Sequence, residues 1–207
     1  MARHGTPARI ILASASPRRR ELLSAAGVDF EWRAGSVGEE LPPGISAEEA
    51  CVLLAERKAR AALQALPPDD AILLAADTIV ALETPDGSML LGKPADADDA
   101  RAMLERLSGS RHKVVTGVCA LRTRDLESAK AWERTLVTMR AISPAEIEAY
   151  VASGEWEGKA GGYAIQESAD RFVTRLEEGG FDNVVGLPVR LTLDLLARLG
   201  ATVPGRS

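Results

Sequence analysis

The chain has 207 residues, of which 46% are hydrophobic and 27% charged, and this length suits a single domain over residues 1–207, with room for two lobes. Its formal net charge of −5 disfavours a general nucleic-acid binder, since such proteins need a basic face. No apolar run approaches the roughly 20 residues that cross a membrane, and no signal-peptide pattern precedes the first predicted strand, so we expect a cytoplasmic protein.

The N-terminal part of the chain begins with a strand that leads into a helix. Residues 9–13 form a short apolar run with β-branched side chains, which predicts a buried strand. Ser16 is a suitable N-cap and Pro17 suits the first helical position, so we expect a helix to begin there. A second strand is predicted over residues 28–33, and a capping box predicts a helix from 46 to about 66.

The rest of the chain continues to alternate between strand and helix patterns. Predicted strands cover residues 71–82, 89–91, 114–122, 130–141 and 172–175, and predicted helices cover 96–107, 144 to about 154, and 187–199. Such mixing predicts an α/β architecture with a mixed sheet. We expect the glycine-rich connection at 154–162 to mark a hinge or lobe boundary, and the ends at 1–7 and 201–207 to fray.

Asp77 is the single charge within the long apolar run of residues 71–82. Burying an unpaired carboxylate is costly, so this side chain must lie at a strand end or meet a metal ion, a cation or a hydrogen-bond donor. A strand-end aspartate with Thr78 in a local turn is the ordinary alternative. Because the apolar stretch continues beyond Asp77, the pattern favours a functional carboxylate.

Residues 14–19, with the sequence SASPRR, place serines and arginines where a strand leads into a helix. The N–H groups and dipole of a helix N-terminus favour negative charge, and guanidinium groups fit phosphate oxygens. Taken alone, the pattern favours a capped helix with solvated arginines, because short phosphate motifs match by chance. Lys58, Lys93, Glu39 and Glu40 likewise resemble ordinary surface charges when each is considered by itself.

The order of these motifs along the chain carries more information than any one of them. After the motif at 14–19 come Lys58-Ala59, Ala76-Asp77-Thr78, Gly92-Lys93-Pro94, Ser108-Gly109 with His112, the segment KAGGYAIQ at 159–166, and Val185-Gly186-Leu187-Pro188. This ordered set resembles the Maf family of nucleoside triphosphate pyrophosphatases from residue 10 to about 199. The resemblance implies an α/β fold with a cleft between two lobes, related to the inosine triphosphate pyrophosphatase fold, and a homodimer.

The resemblance also implies hydrolysis of nucleoside triphosphates to a monophosphate and pyrophosphate with a divalent cation, Mg²⁺ or Mn²⁺. Asp77 matches the catalytic aspartate of the family, as a water-activating base or purely as a metal ligand. Glu39 matches an acidic position near the metal, although Glu40 beside it is an alternative. Cationic positions that bind the phosphates are matched by Arg18, Lys58 and Lys93, and Arg19 lies in the same motif as a further substrate-binding residue.

Three positions resemble the members of the family that cleave dTTP and UTP, namely Arg18, Thr78 and Gln166. Members that cleave methylated guanine nucleotides such as 7-methyl-GTP differ at all three. The Gln166 amide carries both donors and an acceptor and can pair with the imide edge of uracil or thymine. The alternatives are that Gln166 only braces its loop, and that the chain is a non-catalytic nucleotide-binding regulator of cell division.

Overall fold

The computed structural model describes residues 8–35, 37–65, 70–85 and 87–205. Its strands are β1 (Arg9–Ala13), β2 (Glu31–Arg33), β3 (Ala71–Thr84), β4 (Gly87–Leu91), β5 (Arg111–Arg122), β6 (Ser128–Met139) and β7 (Val173–Glu177). Its α-helices are α1 (Pro17–Ala25), α2 (Ala47–Gln64), α3 (Ala97–Leu107), α4 (Pro144–Ser153), α5 (Phe181–Val185) and α6 (Val189–Arg198). The predicted α/β architecture is confirmed. Residues 1–7, predicted to fray, lie outside the described residues.

All seven of these strands form one mixed sheet, in the order β2-β1-β3-β5-β6-β7, with β4 also paired to β3. Strand β1 is parallel to β2 and β3, whereas the pairs from β3 through β5 and β6 to β7 are antiparallel. The sheet is therefore mixed, as predicted. Within the described chain, no helix is long and apolar enough to cross a membrane.

One edge of β3 is divided between two short strands. Strand β1 pairs with its first part, up to Leu74, and β4 pairs with its last part, from Val80 onward. The opposite edge is covered by β5 from Ile72 to Ala81. In the described chain the first edge therefore has a gap between Ala75 and Ile79, and Asp77 lies at the centre of this gap.

Helices α2, α3 and α4 begin where the sequence predicts, because polar caps satisfy their free N–H groups, whereas the predicted cap Ser16 makes no side-chain hydrogen bond at the start of α1. Capping boxes of a serine and a glutamate three residues later open α2 and α4, and the Asp96 side chain caps α3. Helix α4 ends at Gly154, whose φ of 75° lies in the left-handed region that favours glycine.

Hydrophobic clusters cover both faces of the sheet. On one face α2 packs closely on β5, because Gly117 has no side chain: a Cβ there would lie 2.4 Å from the backbone of Cys51. On the other face one cluster includes α1 and α6, and a separate cluster includes α3 and α4. The first of these extends along β3 to Ala76 and the second begins at Val80. The interruption between them agrees with the predicted cleft.

Several boundaries differ from the prediction. Strand β2 covers only residues 31–33 of the predicted 28–33, and the short helix α5 was not predicted, because it begins at a glycine without a side-chain cap and contains two valines. The segment predicted to fray from residue 201 is packed at its beginning. Ala201 and Val203 are buried in the cluster that holds α6, so apolar burial fixes this part of the end.

Candidate active site

A cavity of about 510 Å³ lies at the gap in the edge of β3. It is lined by the β1–α1 connection, the middle of β3, the residue after Gly92, the segment 157–166 and the end of α5. All eight predicted site residues contribute to its lining: Arg18, Arg19, Glu39, Lys58, Asp77, Thr78, Lys93 and Gln166. The fold thus brings into one place residues that lie up to 148 positions apart in the chain.

The alternation of side chains along β3 gives the cavity two different halves. Asp77 faces α2, where the ammonium of Lys58 bonds its Oδ1. Thr78 faces the opposite side of the sheet, where it contacts Arg19 and Thr116. Successive residues of a strand point to opposite faces, and the gap in the sheet edge leaves both faces open to one cavity.

The half that faces α2 is a cluster of paired charges. Asp77 is only 6% exposed, and its ion pair with Lys58 meets the requirement that a buried carboxylate have a partner. The same ammonium lies 3.6 Å from Oε1 of Glu39. The Nζ of Lys93 donates to that oxygen at 2.7 Å. The cluster therefore joins β3, α2, the loop before α2 and the turn after β4.

Glu39 is ionised at neutral pH. Partial burial raises its pKa, but the hydrogen bond and charge of Lys93 and the charge of Lys58 outweigh burial, so its pKa is below the ordinary value. Glu40, the alternative of the sequence prediction, does not line the cavity, and its backbone oxygen accepts from Arg57 instead. The geometry thus favours Glu39 over Glu40 as the acidic member of the site.

The carboxylates fit a divalent cation that shares its ligands with a substrate. Among the described residues, no group of three or more His, Cys, Asp or Glu side chains could hold a metal ion by itself. Mg²⁺ is commonly bound by one or two carboxylates, with substrate phosphates and water as its other ligands. Asp77 and Glu39, both next to the Lys58 ammonium, supply that number of carboxylates.

The two arginines at the start of α1 have different surroundings. Arg19 donates from Nε to the Gly186 carbonyl oxygen at 2.7 Å, from Nη1 to Ser14 Oγ at 3.4 Å, and from Nη2 to Thr78 Oγ1 at 3.2 Å. Burial lowers the pKa of its guanidinium. Arg18 has neither a hydrogen bond nor an ion pair with any described residue, and it lines the cavity. Arg18 is therefore available to an anion, whereas Arg19 holds three parts of the chain together.

Gly186 permits the close approach on which Arg19 depends. Its φ is 118°, which side chains with a Cβ rarely adopt. A Cβ would lie 3.2 Å from Thr78 Oγ1 and 3.4 Å from Arg19 Nε. The glycine of the Val185-Gly186-Leu187 motif is thus explained by backbone conformation and by contact.

The other half of the cavity is largely apolar. Its lining includes Val80, Val114, Tyr163, Ala164, Ile165, Val184 and Val185. Gln166 lies exposed at the end of this half and has no hydrogen bond with any described residue. Concave apolar walls with a few polar groups are typical of small-molecule sites. The arrangement can accept a flat apolar group in one half and a polyanion in the other.

A family model described as Maf-like protein matches residues 9–199 of the chain. The chain belongs to this family. The dTTP/UTP pyrophosphatase of Sphingopyxis alaskensis is 47% identical over 192 residues, covering 92% of this chain and 96% of that protein. That of Myxococcus xanthus is 46% identical over 198 residues, 96% of each chain, and that of Pelotomaculum thermopropionicum is 42% identical over 194 residues, 94% and 98% of the two chains.

In this Maf-family chain, the predicted membership is confirmed, whereas the roles of the individual site residues stay predictions. The relation to the inosine triphosphate pyrophosphatase fold and the homodimer also stay predictions.

The ordered motifs include one residue, His112, to which the sequence assigned no role. His112 is buried, with its Nε2 2.9 Å from the hydroxyl of Tyr163 and its Nδ1 3.1 Å from Ser110 Oγ.

His112 contributes to the cavity indirectly, because it contacts a residue of the cavity lining. Burial lowers its pKa to about 4, so the ring is neutral at physiological pH. Its partner Tyr163 belongs to the cavity lining. A histidine inside an apolar strand would indicate a buried polar role. The predicted strand begins at residue 114, whereas β5 begins at Arg111 and includes His112, so the sequence pattern did not give this signal.

Proposed function

We propose that this chain hydrolyses nucleoside triphosphates, dTTP and UTP in particular, between the α- and β-phosphates to give a nucleoside monophosphate and pyrophosphate. The observation that carries the proposal is the placement of Asp77, paired with Lys58, at the gap in the sheet where a charged and an apolar half of one cavity meet. The names of the relatives support the choice of substrate. We also propose a cytoplasmic location and a homodimer.

The triphosphate would occupy the charged half. Helices α2, α3 and α4 each begin with a side-chain cap and acidic residues in the first turn, whereas α1 has neither. The N-terminus of α1 therefore keeps free N–H groups that favour an anion. Arg18, Lys58 and Lys93 add three cations around the same space. Positioning and charge stabilisation of this kind account for most of the catalysis of phosphoryl transfer.

Substrate binding would exchange the partners within the charged cluster. Without a ligand, the two lysines are paired with Asp77 and Glu39. Phosphate oxygens would replace the carboxylates as ion-pair partners of the two lysines. The two carboxylates would then be free to bind a divalent cation, Mg²⁺ or Mn²⁺. Such a cation, when bound, neutralises developing negative charge and lowers the pKa of a coordinated water.

Asp77 would then orient the attacking water or accept its proton. An ordinary aspartate has a pKa of about 3.9 and is a weak base at neutral pH, so its position next to the cations matters more than its basicity. Lys58, whose ammonium lies against both carboxylates in the absence of a ligand, would then hold a phosphate oxygen next to Asp77. The nucleoside monophosphate and pyrophosphate would leave as separate anions.

The base would lie in the apolar half, with Gln166 at its edge. The Gln166 amide has no partner among the described residues and can pair with the imide edge of uracil or thymine. The bulkier 7-methyl-GTP is the alternative substrate.

The proposal is tested by incubating the protein with dTTP, UTP, CTP, GTP and 7-methyl-GTP and identifying the products. We expect pyrophosphate and a monophosphate with dTTP and UTP as the best substrates, and loss of turnover when a chelator removes divalent cations. Orthophosphate that appears before pyrophosphate, or full activity in excess chelator, would contradict the mechanism. Tight nucleotide binding without any turnover would point to the regulator instead.

A further inference from the structure

A chain of hydroxyl groups runs from the wall of the cavity into the core. Thr78 Oγ1 lies 2.9 Å from Thr116 Oγ1, which in turn lies 2.9 Å from the carbonyl oxygen of Asn183. The Nη2 of Arg19 donates to Thr78 Oγ1 at 3.2 Å. Thr116 and Asn183 are completely buried, so neither side chain can touch a ligand in the cavity.

The direction of each hydrogen bond in this chain follows from its two ends. The carbonyl oxygen of Asn183 can only accept, so the single hydroxyl proton of Thr116 points to it. Thr116 must then accept from Thr78, which uses its own proton in that bond. Arg19 can only donate. The Thr78 hydroxyl therefore has no proton left for a ligand. Arg19 occupies one of its two lone pairs, and the other can accept a hydrogen bond.

We propose that Thr116 is a positioning residue for base selection, because through this chain it makes Thr78 a pure hydrogen-bond acceptor at the cavity wall. The proposal rests on the proposed function, since it needs a nucleobase in the apolar half. Uracil and thymine carry an N3–H that can donate to Thr78. The N3 of cytosine carries a lone pair instead and would face the lone pair of Thr78.

Arg19 extends the same pattern to the neighbouring atom of the base. A guanidinium has five N–H donors, and toward the described residues Arg19 uses three of them, in its bonds to Gly186, Ser14 and Thr78. Within that set, donors therefore remain beside the Thr78 acceptor. A donor next to an acceptor matches the carbonyl and N–H of an imide edge, and for a base bound in the same orientation it mismatches the amino group and ring nitrogen of cytosine.

The matched pair of variants is Thr116→Val and Thr116→Ser. Valine has nearly the shape of threonine but no hydroxyl, so it would release the Thr78 proton, which could then rotate and donate to cytosine. Serine keeps the hydroxyl and should keep the direction of the chain. The readout is the ratio of dissociation constants for the non-hydrolysable α,β-imido analogues of CTP and UTP, with thermal melting as the check of folding.

We expect Thr116→Val to reduce the CTP/UTP ratio of dissociation constants about tenfold, chiefly through tighter binding of the CTP analogue, because one unpaired polar contact is at stake. Thr116→Ser should leave the ratio within about twofold. An unchanged ratio in folded Thr116→Val, equal weakening of both analogues, or wild-type protein that binds neither analogue would overturn the proposal.

A second variant covers the case in which Thr116→Val does not fold. Thr78→Val removes the acceptor itself and should weaken the UTP analogue about tenfold while leaving the CTP analogue nearly unaffected; equal loss for both would overturn the proposal. Pyrophosphate release by the wild type separates this proposal from the proposed function. Selective binding of the UTP analogue without turnover contradicts only the proposed function. Turnover of UTP with an unaltered CTP/UTP ratio in the variants contradicts only the base-selection role of Thr116.

Discussion

At the scale of single residues, two neighbours on β3 face different halves of the site. Asp77 meets Lys58 on the face covered by α2, and Thr78 meets Arg19 and Thr116 on the other. This separation of adjacent side chains is a property of any strand. It has chemical consequences here because, in the part of the chain that the structure describes, no strand pairs with the β1/β4 edge of β3 between Ala75 and Ile79.

Asp77→Asn should abolish nearly all turnover while leaving the fold and much of the nucleotide affinity intact. The substitution keeps the size of the side chain but removes the charge that orients water and would bind a cation, a loss we expect to cost at least roughly 100-fold in kcat. Pyrophosphate release is the measurement. Asp70→Asn, at an exposed ion pair with Arg124, is the matched control and should keep activity. Near-normal turnover of folded Asp77→Asn would refute its catalytic role.

Gln166→Glu should change the ranking of nucleotides. The glutamate has no amide N–H to donate to a base carbonyl and adds a negative charge at the end of the apolar half. We expect kcat/KM for dTTP and UTP to fall by at least about tenfold relative to GTP and 7-methyl-GTP. If all substrates change by the same factor, Gln166 only braces its loop, and the specificity assignment is wrong.

The sequence predicts the residues of this site better than it predicts their contacts. All eight residues predicted from the order of the motifs line one cavity, because the motifs of a family mark positions around a shared site. Motif order could not reveal that Arg19 is held by protein groups while Arg18 has no hydrogen bond with any described residue, since the partner Gly186 of Arg19 lies 167 positions away. Nor could it give the direction of the bond from Thr78 to Thr116, which depends on a carbonyl oxygen in an unpredicted helix.

At the scale of elements, strands and capped helices were predictable because each carries a local signal. The long apolar run is itself strand β3, and the capping boxes stand directly at the starts of α2 and α4. The β4 part of the β3 edge is local, since Thr84 pairs with Gly87. The β1 part has no such signal, because it depends on pairings between segments about 60 residues apart, for instance Arg9 with Ala71, and these determine where the gap begins.

Gly186→Ala should damage the connection between α5 and α6 and the site beside it. The backbone there has φ of 118°, and the new Cβ would lie 3.2 Å from Thr78 Oγ1. Strain of this kind costs roughly 1–3 kcal/mol of unfolding free energy, and displacement of Arg19 should lower kcat/KM as well. Gly44→Ala is the control, because Gly44 has φ of 75° but no atom within 4 Å of a Cβ. Equal activity of the two variants would contradict the role of the contact.

At the scale of the whole molecule, the cavity sits where the core is interrupted. Two clusters cover the same face of the sheet on either side of Thr78, and the buried polar residues Thr116, Thr135 and Asn183 occupy the interval. Buried polar groups need hydrogen-bond partners. Thr116 donates to the backbone carbonyl oxygen of Asn183, and the Asn183 amide donates to Thr135, so these residues form a hydrogen-bonded group next to Thr78.

The stability of the molecule should depend on pH through His112. Its folded pKa of about 4 is below the ordinary value of about 6.5, because burial disfavours the charged ring. Between these pH values the unfolded chain binds more protons than the folded one, so stability is full above about pH 6.5 and is lost as the pH falls toward 4. The shift corresponds to at most about 3 kcal/mol of unfolding free energy.

Chemical denaturation at pH 7, 5.5 and 4.5 measures this dependence. His112→Gln should be less stable than the wild type at pH 7, since the bonds to Tyr163 and Ser110 are altered, but it should lose much less stability between pH 7 and 4.5. The pKa values of Asp125 and Glu146 are lowered to about 2. Their contributions to stability fall mainly below this range, because a carboxylate begins to lose its contribution only as the pH reaches its ordinary pKa. His4→Gln changes the second of the two histidines, which lies outside the described residues, and is the control. If His112→Gln and His4→Gln retain the same pH dependence as the wild type, the buried ring is not its source.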